Sequence, residues 1–157
     1  MLIVGMKPDT NNETVMVARD KQEVLWVKRK EETSAKHLAN WLEAEAGEAS
    51  VVFVDGGKEG GAIVDIARNL GVPVEEVTFC DKATYPYLNK RSELWGKARR
   101  KVCDLTLQIK DKVLSDDIAR TAFCDNGKGL ILEQRTQTKE RVGRFPNSGD
   151  ALALTFA

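Results

Sequence analysis

The chain has 157 residues, 42% of them hydrophobic, enough for one well-packed core and too few for two domains of ordinary size. Its 24 basic residues balance 24 acidic ones, so the overall field gives no reason to expect tight nonspecific binding of polyanions and leaves any nucleic-acid contact to local clustering. No apolar run is long enough to cross a bilayer, and Leu2 to Met6 is too short for a signal segment, so a soluble intracellular protein without a membrane partner is expected.

In chain order, Leu2 to Met6, Thr14 to Arg19 and Glu23 to Lys28 read as strands. The polar "DKQE" between the last two suits a hairpin, which makes them antiparallel. Thr33 or Ser34 caps a helix whose Leu38, Trp41, Leu42 and Ala46 share one face, and Gly47 ends it. "VVFVD" is a continuous apolar run of the buried-strand kind, closed by Asp55 and then by "GGKEGG". A helix over roughly Ala62 to Leu70 leads through "GVPVEE" to a strand at Val77 to Cys80. Helices follow near Tyr87 to Val102 and Val113 to Ala122, then a strand "LILE" at 130–133, a basic stretch and the terminal "GDALALTFA".

The alternation of strand and helix in the middle of the chain requires right-handed crossovers and parallel strands. The sheet is therefore mixed, with an antiparallel meander on one side and parallel strands on the other. The fold class is α/β, and this order of elements is the one found in ribonuclease H-like folds. We expect one such domain over residues 1–157, with a five-stranded central sheet flanked by helices.

In such a sheet the first and fourth strands are neighbours, so Lys7 and Asp55 leave their carboxyl ends at one crevice. Asp55 ends an apolar strand and is followed by two glycines, which leave room for a ligand beside its carboxylate; a plain turn explains "DGG" equally well. Neither "GGKEGG" nor "DNGKGL" fits a phosphate-cradling loop, so no nucleotide site is supported. Asp150 opens the last helical segment, where a carboxylate is favoured as a cap, and Asn147 three residues earlier offers a neutral oxygen ligand. Lys90, Arg91, Lys97, Arg99, Arg100 and Lys101 crowd one helix, and Lys139, Arg141 and Arg144 precede Asp150. Either group serves as a solvated face or as a phosphate-contacting surface. Cys80, Cys103 and Cys124 form no CxxC pair and read as core residues in a reducing compartment, and His37 reads as structural or surface.

"VFVDGGKEGGAIVDIARNLGVPVEEVTFCDKA", "YLNKRSELWGKAR" and "GDALALTFA", in this order and spacing, resemble the nuclease domain of the large terminase subunit of tailed bacteriophages. The resemblance runs from "IVGMKP" to the end and is most specific in "NKRSELW" and "DALALTF". It implies a metal-dependent endonuclease that cuts concatemeric viral DNA with one or two Mg2+ or Mn2+ ions. Asp55 and Asp150 match acidic ligands of the family. Lys7 falls where the family's "GxDPA"-like pattern has its first aspartate, and Asn147 where an acidic or histidine ligand is common.

Replacing a bridging carboxylate by an ammonium changes the local charge by two units and fills the space with a cation. Lys7 would then pair with Asp55 or Asp150. Asp9 compensates in part if its loop bends back to the crevice; turn chemistry in "PDTNNE" is the competing explanation. Three readings result: a metal-dependent endonuclease working through Asp55, Asp150 and Asp9; an impaired nuclease-fold module that binds DNA or a packaging partner; and a ribonuclease H-fold enzyme acting on branched DNA or RNA hybrids. The chain contains no Walker A loop, so a translocating motor is not expected within it. The resemblance implies double-stranded DNA, the terminase ATPase motor, the small terminase subunit and the portal as partners, in the host cytoplasm.

Overall fold

The computed structural model describes all residues, 1–157. Its central sheet is built from β1 (Ile3–Lys7), β2 (Thr14–Arg19), β3 (Val24–Lys30), β4 (Val51–Asp55) and β5 (Val74–Val77) in the order β3-β2-β1-β4-β5. β1 pairs antiparallel with β2, and β2 with β3, whereas β4 runs parallel to both β1 and β5. This is the mixed five-stranded sheet of the ribonuclease H-like order. The fifth strand lies earlier than expected: β5 is the "VEEV" within the segment read as a connection, and Thr78 to Cys80 turn away from the sheet. Two adjacent glutamates hid it, yet at an edge their side chains reach water while Val74 and Val77 are buried.

Strand alternation divides the core in two. Val4, Met6, Met16, Ala18, Val52 and Val54 face one side, where α1 (Ala35–Ala46) and α2 (Gly60–Asn69) cover them with Leu38, Leu42, Ile63 and Val64. Val15, Val17 and Phe53 face the other side, covered by α3 (Lys90–Cys103), α4 (Lys112–Arg120) and α6 (Asn147–Leu154) through Leu94, Trp95, Leu114, Ile118 and Leu152. Every residue of α6 is buried, and the helix lies directly on β1 and β2. Gly5 makes this possible, since a Cβ there would overlap the Ala151 carbonyl oxygen.

Two elements escape the periodicity of the sequence. "FCD" forms β6 (Phe123–Asp125), which pairs with β7 (Leu130–Leu132) as a separate hairpin. "DNGKG" is its turn, with Gly127 and Gly129 at positive φ and Asp125 accepting from the Gly127 amide at 2.9 Å. The basic stretch is α5 (Arg135–Val142), opened by reciprocal Gln134 and Gln137 bonds and closed by Gly143 in the left-handed region. Its only buried residue is Thr138, so no apolar stripe announced it. The three cysteines are exposed rather than core residues. His37 lies on the surface beside Glu32.

Candidate active-site crevice

β1 and β4 are neighbours in register, with Met6 opposite Val54, so Lys7 and Asp55 leave the sheet side by side. Both stand one residue on from side chains of the α1/α2 face, and alternation turns them towards the face that carries α6. There the Lys7 ammonium binds the Asp55 carboxylate directly, with about a tenth of each side chain exposed. Asp55 is held further by its turn, whose Gly57 amide donates to Oδ1 at 3.3 Å. Gly60 lets the chain fold back so tightly that a Cβ would overlap the Asp55 carbonyl.

Asp150 stands in the first turn of α6, fully buried. Arg91 Nε and Trp95 Nε1 both donate to its Oδ1 at 2.8 Å, and Arg135 Nε lies 3.1 Å from Oδ2 as an ion pair without hydrogen-bond alignment. Burial alone would raise this carboxyl, but Arg91, Arg135 and Lys7 outweigh it and hold it below the ordinary aspartate range.

Asp9 reaches the crevice because its loop does bend back. Its amide donates to Thr14 Oγ1 at 2.9 Å, and Oδ1 accepts from the Asn12 amide at 3.1 Å, which is turn chemistry. Oδ2 faces inward and accepts from Asn147 Nδ2 at 3.0 Å, with Arg135 Nη2 at 3.3 Å. Burial opposes its ionisation; Asn147, Asn12 and Arg135 more than offset this, and the carboxyl lies below its usual range. Asn147 therefore commits its amide nitrogen to Asp9 and its oxygen to Arg135. Thr10 and Glu59 bind each other across the mouth.

The structure thus brings Lys7, Asp9, Asp55, Asn147 and Asp150 around one crevice, which opens beside Lys58, Arg135 and Phe145. Arg135 escaped sequence reasoning because its helix carries no apolar period. Arg91, read as a surface cation, is instead buried against Asp150 and the Glu133 carbonyl. The other basic residues scatter. Lys90 and Lys97 pair with Glu93, and Arg99 donates to the carbonyls of Ile118 and Thr121. Arg141 pairs with Glu133, and Arg144 with Asp116 and Asp117. Arg100, Lys101 and Lys139 remain exposed.

No family model matches this sequence, and no curated protein is detectably similar to it. Solved structures are similar in fold. A mutant nuclease domain of the large terminase subunit gp2 of bacterial virus Sf6, with manganese and beta-thujaplicinol, has 16% identity and a TM-score of 0.80 over 99% of this chain and 87% of its own. A second Sf6 nuclease-domain structure has 14% identity and a TM-score of 0.77 over 99% and 87%. The large terminase nuclease of thermophilic phage G20c with bound magnesium has 13% identity and a TM-score of 0.75 over 99% and 80%. The chain has the fold of terminase nuclease domains.

The same relatives have also been solved with calcium, cobalt and zinc. The side chains here, as folded, do not suit a pair of divalent ions. No three acidic, histidine or cysteine side chains converge on one point. Asp55 carries Lys7, Asp150 is enclosed by Arg91, Trp95 and Arg135, and Asp9 is engaged by Asn147 and Arg135.

Proposed function

We propose that this chain acts on double-stranded DNA within a phage packaging machine, as the nuclease-fold part of a large terminase, and that its own cations occupy the crevice in which metal ions would otherwise be held. The ATPase motor, the small terminase subunit and the portal are its partners in that role, in the host cytoplasm. The observation that carries the reading is the Lys7–Asp55 pair at the carboxyl ends of the two central strands. Two divalent ions about 4 Å apart are held only by the summed negative charge of their ligands. Here Lys7, Arg91 and Arg135 already neutralise Asp9, Asp55 and Asp150. The module binds and positions DNA without cutting it.

Supercoiled plasmid incubated with the purified chain in Mg2+ or Mn2+ tests this. We expect no nicking above an Asp55→Asn control, and EDTA-sensitive nicking once Lys7→Asp restores a carboxylate. Metal-dependent nicking by the unaltered chain, lost in Asp55→Asn, would overturn the reading. It would establish a metal-dependent endonuclease in which Lys7 yields Asp55 to the ion.

A further inference from the structure

Of the cations around the crevice, most are already committed to partners within the chain. Lys7, Arg91 and Arg135 sit on carboxylates, and Arg141 and Arg144 pair with Glu133 and with Asp116 and Asp117. Along α3, Lys90 and Lys97 share Glu93, and Arg99 is engaged by backbone carbonyls. Only Arg100 and Lys101 are free there, nine and ten residues beyond Arg91, which places them about 14 Å further along the helix than the cation that touches Asp150. The helix that looked most like a phosphate-contacting surface therefore presents little unpaired charge near the crevice.

Two lysines differ. Lys58, in the turn after β4, and Lys139, in α5, are exposed and have no carboxylate partner. Lys58 lines the crevice itself. Lys139 lines a second cavity that shares Asn12 and Phe145 with the first, so the two cavities adjoin at these residues. Phe145 stands at the junction. Arg135 and Lys139, one helical turn apart and so on one face of α5, both approach its ring, at 4.7 and 4.5 Å from the centroid. An aromatic face beside a cation attracts it and so fixes where the Lys139 charge is presented.

From this arrangement we infer that the surface from Lys58 across Phe145 to Lys139, spanning the two adjoining cavities, is the path of a DNA strand. Lys58 and Lys139 contact phosphates, and Phe145 is a positioning residue that aims Lys139. The inference rests on the proposed role on DNA and moves the binding surface from α3 to α5. Because both lysines are free of the crevice carboxylates, binding along this path needs no divalent ion.

Titrating a labelled DNA duplex with the full chain in EDTA at several salt concentrations tests it. Lys58→Ala with Lys139→Ala is expected to weaken binding about tenfold at low salt and to reduce the salt slope by about two, near 0.9 for each phosphate that is no longer neutralised. Phe145→Leu, which keeps an apolar side chain, should weaken binding about threefold and leave the salt slope unchanged. Arg100→Ala with Lys101→Ala should leave affinity and slope unchanged. If that pair carries the loss and the Lys58 and Lys139 pair does not, the DNA role stands and the α5 path is overturned. No salt-dependent binding by the unaltered chain would overturn the DNA role and the path together.

Discussion

At the scale of single residues, the crevice is governed by compensation of buried charge. Lys7 and Asp55 are tolerated out of water only because each is the other's counter-ion. Replacing Lys7 by methionine leaves the Asp55 carboxylate buried without it, and we expect a loss of about 3 kcal/mol in urea denaturation. Adding Asp55→Asn to Lys7→Met should recover most of that loss, because no stranded charge then remains. A fully additive double variant would show that the two side chains are not energetically coupled. The same balance explains why Arg91 cannot serve as a surface contact: Asp150 is fully buried and needs it.

At the scale of elements, α6 sets the position of the site. The helix has no solvent-exposed side, so it packs as an inner layer with β1 and β2 beneath it and α3 and α4 around it. Its first turn is held from α4 by Asp117, which accepts the Gly149 amide at 3.1 Å and Arg144 Nη2 at 2.9 Å. Burial raises the Asp117 carboxyl, and the Gly149 and Arg144 bonds only partly offset it. Close approach to β1 depends on Gly5. We expect Gly5→Ala to cost about 3 kcal/mol by thermal or urea unfolding, since a Cβ meets the backbone of Ala151 rather than a movable side chain. Gly61→Ala in α2 is the matched comparison; nothing lies within 4 Å of its Cβ, and it should gain about 0.5 kcal/mol. Equal losses at both positions would mean that backbone conformation, not the approach of α6, decides the outcome.

At the scale of the whole molecule, the carboxylates of the crevice link stability to pH. Asp9 and Asp150 are both held below their ordinary range in the folded chain. The unfolded chain therefore takes up their protons first, and unfolding is favoured as pH falls. The stability they contribute is present above about pH 4, the unfolded aspartate range, and is lost on further acidification through their folded values. Asp117 works the other way: its raised carboxyl favours the folded state on the acid side and loses that contribution as pH rises through its folded value. Asp20, Glu32, Glu93, Asp111, Asp116 and Glu133 are lowered as well, so with eight carboxyls lowered against one raised we expect the melting temperature to fall on acidification below pH of about 4, and Asp150→Asn to flatten that fall. A melting temperature that stays constant into strong acid would contradict the assigned environments of Asp9 and Asp150. No helix is long and apolar enough to cross a membrane.

Much of this architecture was legible in the chain before folding was considered. The apolar strands, the Ser34 cap, the Gly47 stop and the strand–helix alternation are local signals, so they placed the meander, the parallel β4 and the neighbouring ends of Lys7 and Asp55. Elements without an apolar period stayed hidden. β5 carries two glutamates at an edge, β6 is three residues long, and α5 buries one side chain. The identity of Lys7 posed the central question in one dimension. Which carboxylate it joins, how Arg135 closes over Asp9 and Asp150, and which lysines remain free are long-range matters. They depend on side chains far apart in sequence competing for the same few buried oxygens, and only the packed sheet with α6 and α5 around it decides that competition.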